Sequence, residues 1–159
     1  MIDRFERFSV AISEISRYWH KIAGDVMEPY GLKGTHAIYV TTLAQHKEGI
    51  TAAKLCEICG KDKSDVSRLI AIMEKLGFVK KEGRNNYRTP LKLTDKGETL
   101  AAEIKKKACL AVNTAGRDLN EKDRHIFYTS LEAITENLRN GNRKPFKSVY
   151  HKKFSCQIL

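Results

Sequence analysis

Residues 50–97 read ITAAKLCEICGKDKSDVSRLIAIMEKLGFVKKEGRNNYRTPLKLTDKG, and this stretch decides the fold. Thr51 stands where its hydroxyl can accept from amides left free in a first helical turn, so a short helix is expected from there through Cys59, with Leu55 and Ile58 as its buried face. Gly60 ends that helix, since glycine takes the left-handed backbone of a sharp turn without steric cost. Asp62 opens a second helix with Asp65 three positions on; Asp65 either accepts from a base or caps its own helix, and the cap is the favoured reading. Along this helix Val66, Leu69, Ile70, Met73 and Leu76 repeat at helical spacing, whereas Lys63, Ser64, Ser67 and Arg68 fall on or beside the opposite face. Gly77 closes it. Phe78 to Lys81 then reads as a strand, Glu82 to Asn86 as a turn and Leu91 to Leu93 as the returning strand, after which Thr94 is placed to cap a further helix.

Amphipathic helices are expected on both sides of this unit. Upstream, Phe5, Phe8, Ile12, Ile15, Trp19, Ile22 and Val26 keep the three-four alternation of a long helix with one apolar stripe. Gly31 and Gly34, flanking Pro29 and Tyr30, break the chain before a helix that carries Ile38, Leu43 and Ala44. Downstream, Leu100, Ile104, Ala108, Ala111 and Ala115 form a long stripe rich in small residues, and Asn120 with Asp123 starts a last helix bearing Phe127, Leu131, Ile134 and Leu138. The expected class is therefore mainly α with a small β-hairpin wing: a winged helix-turn-helix flanked by N- and C-terminal helices. Apolar stripes on three helices outside the central unit exceed what one small domain needs, so a partner surface is a sensible use for them.

Charge narrows the partner. The 159 residues hold 29 Lys and Arg against 19 Asp and Glu, a net charge of +10, which favours a polyanion, with a merely soluble basic surface as the alternative. No apolar run approaches the roughly 18 residues that span a bilayer, and MIDRFERF lacks a signal-peptide core, so a cytoplasmic location and no membrane partner are expected. Cys56, Cys59, Cys109 and Cys156 are spread through a chain that reads as cytosolic, where thiols stay reduced. The CxxC of Cys56 and Cys59 lies inside an apolar helical pattern without a second ligand pair, so packed thiols are expected, with a thiol redox protein as the rival and no metal site. No phosphate-binding glycine loop, nucleophile elbow or zinc-hydrolase spacing occurs, so neither an enzyme nor a cofactor is expected. Residues 140–159 form a basic tail in which Arg143, Lys144, Lys147, Lys152 and Lys153 face no acids, either a solvated terminus or an arm adding phosphate contact.

The polar face of the second helix suits duplex DNA. A major groove about 12 Å wide admits one α-helix whose other face is held by packing, and Lys63, Ser64, Asp65, Ser67 and Arg68 occupy the free side. The hairpin tip, Arg84, Asn85, Asn86, Tyr87 and Arg88, could set cations in an adjacent minor groove. A winged helix used for protein contact is the second rival, but such an interface prefers aromatic and apolar anchors at its centre.

The run ITAAKLCEICGKDKSDVSRLIAIMEKLGFVKK, followed by LKLTDKG, resembles the MarR family signature. The resemblance implies a single MarR-like domain over 1–139, with dimerisation helices at 1–30 and 95–139, a winged helix-turn-helix DNA-binding region at 35–93, and the tail 140–159 outside it. It further implies a homodimeric transcription regulator, expected to be a repressor, that sets two recognition helices in successive major grooves of a pseudo-palindromic double-stranded DNA operator. The wing departs from the family pattern, because the family's Asp-x-Arg positions hold Asn85 and Tyr87, leaving Arg84 or Arg88 to substitute. Family members often bind a small phenolic or other anionic effector; Tyr18, Tyr30, His36 and Tyr39 are the candidate pocket residues, with aromatic packing as their other role. An oxidant sensor on the first helix is not expected, because no cysteine precedes Cys56.

Overall fold

The structure, a computed structural model, describes residues 2–82 and 89–143. In chain order it runs α1 (Ile2–Met27), two single 3-10 turns (Glu28–Tyr30 and Gly34–His36), α2 (Ala37–Gln45), α3 (Ala52–Cys59), α4 (Lys63–Lys75), β1 (Val79–Lys81), β2 (Leu91–Leu93), α5 (Asp95–Ala115) and α6 (Glu121–Arg143). This is the winged-helix architecture expected from the sequence, mainly helical with one antiparallel hairpin. The hairpin pairs Val79 with Leu93, Lys80 with Lys92 and Lys81 with Leu91. Its far edge is not bare: Ile50 exchanges both backbone hydrogen bonds with Leu91, at 3.2 and 2.8 Å, which ties the segment before α3 to the wing. Nothing in the sequence reading anticipated that bridge, because a single paired residue has no periodicity.

The described chain divides into two compact units, one ending at Asn113 and one beginning at Thr114. The first holds the core, in which Phe78, Met27, Leu55, Met73, Leu91, Leu100, Val40 and Val66 are the largest fully buried side chains. On α4 the apolar repeat faces inward as expected, with Val66, Leu69, Ile70 and Met73 buried and Leu76 half-buried at the end of the helix. Ile58, expected on the buried side of α3, is exposed. Cys59 takes that place beside Leu55: it packs against α2, where its sulfur lies 3.7 Å from Thr42 Oγ1. Residues three and four positions after Leu55 both qualify as helical neighbours, so spacing alone could not choose between them. On α2, likewise, Ile38 points outward, and Ala37, Tyr39, Val40 and Leu43 face the core.

On α1 the stripe is covered only at its end: Ile22 and Val26 are half-buried and Met27 fully buried, while Phe8, Ile12, Ile15 and Trp19 stay exposed; the Phe5 side chain lies outside the described residues. On α5, Leu100 and Ile104 are buried, Ala108 and Ala111 half-buried, and Ala115 exposed. In the second unit Asn120 caps α6 as its spacing suggested: the Asp123 amide donates to Asn120 Oδ1 at 2.9 Å, and Asn120 Nδ2 donates to the Asp123 carboxylate at 2.6 Å. Arg124 closes the preceding turn by donating to the Leu119 and Gly116 carbonyls. The apolar residues Phe127, Ile134 and Leu138 of α6 are exposed.

Candidate nucleic-acid interface

The site is assembled by two short helices and the turn between them. Thr51 Oγ1 accepts from the Lys54 amide at 3.2 Å, the cap expected for α3. Gly60 adopts φ 60°, and the Lys61 amide donates to the Cys56 carbonyl at 3.1 Å, so the helix is closed by a left-handed glycine and the chain reverses at once into α4. Asp62 holds the N-cap position in extended conformation, but its side chain makes no capping bond.

Lys63, Ser64, Asp65, Ser67 and Arg68 are all exposed, side by side on the outer face of α4, and no part of the described chain covers them. Asp65 is not the cap that its spacing suggested. Its Oδ1 accepts from Arg68 Nη2 at 2.5 Å, one helical turn on, with both side chains solvent-accessible. The competing demand is electrostatic: a guanidinium three residues away offers a charge-assisted bond that backbone amides do not match.

The other end of α4 is held by the residues after the wing. Thr94 serves two helices at once, donating to the Gly77 carbonyl at 2.6 Å and accepting from the Gly97 amide at 3.2 Å, so it caps α5 while satisfying the turn that ends α4. Lys96 Nζ donates to the Leu76 carbonyl at 2.9 Å and lies 4.4 Å from the Phe78 ring centroid, a cation placed at the negative end of α4. Gly97 is required by contact: a Cβ there would run into the Phe78 carbonyl oxygen and the Leu93 side chain. The Thr94-Asp95-Lys96-Gly97 run therefore fastens α5 onto the helix-turn-helix, and the role of Lys96 has no sequence signal because its partner is a carbonyl at the end of another helix.

Arg84, Asn85, Asn86, Tyr87 and Arg88, expected at the wing tip, lie outside the described residues, as do residues 144–159 of the tail. The wing's stem is described and charged. Lys92 Nζ lies 2.9 Å from the Glu82 carboxylate, with Lys80 at 3.7 Å from the same group and Lys81 paired to Glu74 of α4 at 2.8 Å. The hydrogen bond from Lys92 holds the Glu82 carboxyl below its ordinary range, and the same bond raises Lys92.

The four polar aromatics proposed as a ligand pocket are not brought together. Tyr18 is exposed beside Arg17, 4.9 Å from its ring centroid. Tyr30 donates to Glu103 at 2.8 Å, which raises its hydroxyl's pKa, and packs edge-on against Phe78. His36 Nδ1 accepts from the Lys33 amide at 3.1 Å, and burial lowers its pKa. Tyr39 is buried, and burial raises its hydroxyl. A cavity of about 450 Å³ does exist in the first unit, but its walls are Trp19, Val26, Ile38 and Ile104, with His20, Lys61 and Lys107 as polar members. Those residues come from α1, α2, α5 and the α3–α4 turn, separations no sequence pattern joins. Tyr30 lines instead a smaller depression of about 330 Å³.

Cys56 is half-buried and Cys59 buried. Burial pushes the Cys59 thiol up, away from the thiolate that redox exchange needs. Among the described residues no group of three or more His, Cys, Asp or Glu side chains could hold a metal, and no helix is long and apolar enough to cross a membrane.

The sequence model of the MarR family matches residues 30–86, the stretch from the end of α1 to the wing. Among solved structures, a MarR transcriptional regulator from Methanosarcina mazei Go1 is 27% identical, aligns over 85% of this chain and 91% of its own, and has a TM-score of 0.76. Through its helix-turn-helix and wing the chain is similar to MarR family transcriptional regulators. Two further structures share the fold of this chain. A MarR family transcriptional regulator from Listeria monocytogenes complexed with 26mer DNA is 24% identical over 82% of this chain and 87% of its own, with a TM-score of 0.74. The S. aureus MepR–DNA complex is 17% identical over 82% and 97%, with a TM-score of 0.73. No curated protein matches the chain significantly.

Proposed function

We propose that this chain binds double-stranded DNA sequence-specifically as a homodimer, represses transcription from a pseudo-palindromic operator in the cytoplasm, and releases it in response to a small effector. The single observation that carries the reading is α4: one face locked into the core by Val66, Leu69, Ile70 and Met73, the other free and bearing Lys63, Ser64, Ser67 and Arg68. A rigid rod with free donors is what base reading in a major groove requires: Arg68 can pair with guanine, the serines can reach bases or phosphates, and Lys63 can neutralise a phosphate. The winged relatives crystallised with DNA support the same use of the fold.

A second copy of the chain is the partner that suits the uncovered stripes, Phe8, Ile12, Ile15 and Trp19 on α1 and Phe127, Ile134 and Leu138 on α6. Two copies then present half-sites about one helical turn, some 10 base pairs, apart. The cavity of about 450 Å³ suits an effector with an apolar body and an acidic group, since its walls are mostly apolar and Lys61 and Lys107 stand among them. Its wall reaches Lys61, two residues before α4, so an occupant there is well placed to bias the recognition helix. Selection of bound duplexes from a random pool at fixed salt tests the proposal. A palindromic consensus is the expected result; a pool that stays random at every position would refute it.

A further inference from the structure

The ion pair on the outer face of α4 carries more than helix stability. Resting on the DNA-reading role above, we propose that Asp65 is a positioning residue for Arg68: its carboxylate holds the guanidinium in place over the groove-facing side of α4, so that base preference at the position Arg68 meets depends on Asp65.

The geometry supplies the hold. Asp65 Oδ1 and Arg68 Nη2 are 2.5 Å apart, and with side-chain exposures of 53% and 74% neither group is fixed by burial, so each is oriented by the other. Asp65 has no other hydrogen-bonding duty among the described residues, since the start of α4 shows no side-chain cap. The second acid of α4, Glu74, is committed to Lys81 on the wing. Among the described residues, Asp65 is the partner that gives Arg68 its bearing.

The chemistry says what that hold does. A guanidinium is a planar fork, and pinning one terminal nitrogen leaves the remaining donors aimed in a fixed plane, as a paired contact to guanine O6 and N7 demands. Asp65 lies one turn nearer the N-terminus than Arg68, so the pair draws the guanidinium toward the end of a recognition helix that meets base edges. In water an exposed pair of this kind contributes little, but a groove that excludes solvent strengthens it. A carboxylate facing a polyanion also repels every phosphate equally. Asp65 thus weakens binding to any DNA while sharpening the choice among sequences, and an unheld Arg68 would be free to settle on phosphate.

The test uses the full chain and the consensus duplex selected from the random pool, with a scrambled duplex of the same composition. Absence of any wild-type consensus would overturn the DNA-reading role and this inference with it. Given a consensus, Asp65→Asn, isosteric and on an exposed site, should lower the consensus-to-scrambled affinity ratio by about fivefold or more while scrambled binding stays equal or tightens. The same substitution in an Arg68→Ala background should leave the ratio where Arg68→Ala alone puts it. Asp65→Glu, which keeps the charge, should retain most of the preference. An unchanged ratio in Asp65→Asn, or an equal fall with and without Arg68, would sink the proposal, the latter because a cap or a direct base contact acts without the arginine.

Discussion

Helices α4 and α6 carry the same kind of apolar repeat and meet opposite fates. Val66 and Met73 of α4 are 0% and 1% exposed, whereas Phe127 and Leu138 of α6 are 45% and 49% exposed. Around α4 the chain supplies its own cover, from α3 on one side and β1 on another. Among the described residues of α6 none is buried. An apolar repeat states that a face must be covered, and which surface covers it is a separate matter of what the chain brings alongside. The polar sides differ in the same way: that of α4 is left free by a packed scaffold and so has a fixed bearing, which is what recognition of a rigid duplex needs.

Breaking the covered side should have the largest effect. Phe78→Ala removes a fully buried ring at the end of α4, against Tyr30 and Lys96, and is expected to cost about 3–5 kcal/mol of stability, measured by urea unfolding. A loss under 1 kcal/mol would mean the recognition helix is not held as described. On the uncovered side, Phe127→Asp should leave unfolding of the single chain nearly unchanged but weaken self-association by roughly 2–3 kcal/mol, about a hundredfold in dissociation constant, read by sedimentation equilibrium. Equal association in the two proteins would remove α6 from the proposed dimer contact.

Smaller changes sharpen the contrast within α4. Arg68→Ala is expected to reduce specific affinity by about 1–3 kcal/mol and relax base preference; an equal loss on every sequence would reassign Arg68 to phosphate. Thr94→Val deletes the hydroxyl that serves both Gly77 and Gly97 and should lower stability by about 1–2 kcal/mol, with unfolding followed by circular dichroism. The least effect belongs to the wing stem. The Glu82 carboxyl is held below its ordinary value of 4.5 by Lys92, so the pair stabilises the fold above that pH and the contribution fades as pH falls through the lowered value. Glu82→Gln should therefore differ from the wild type in thermal stability near neutrality and converge with it in acid; a difference that persists at low pH would assign the effect to packing.

Local rules made most of the helix-turn-helix and the caps of its neighbours legible. Thr51, Gly60, Thr94 and Asn120 act within a few residues of themselves, and each does what its chemistry and spacing suggested. The exposed face of α4 was legible for the same reason, since helical periodicity sorts its residues into two sides. The misreadings fall where neighbours distant in sequence decide. Ile58 yields its buried place to Cys59 because α2 offers Thr42 there, and the cavity gathers α1, α2, α5 and the α3–α4 turn while passing over Tyr18, Tyr30, His36 and Tyr39. Asp65 is the exception, for a local reason: its spacing suits both a cap and a bond to Arg68 three residues on, and the ion pair is the one formed.

From sequence alone came the helix-turn-helix, its hairpin, the amphipathic flanks and the cationic face of α4, because each is written in the spacing of adjacent turns and in charges that need no partner to be counted. Tertiary structure alone decided that Lys96 and Thr94 clamp the end of α4, that Ile50 joins the wing, and that α4 buries its apolar side while α6 does not. Those outcomes depend on which surfaces meet across long stretches of chain, and a meeting of that kind leaves no periodic trace in the residues that make it.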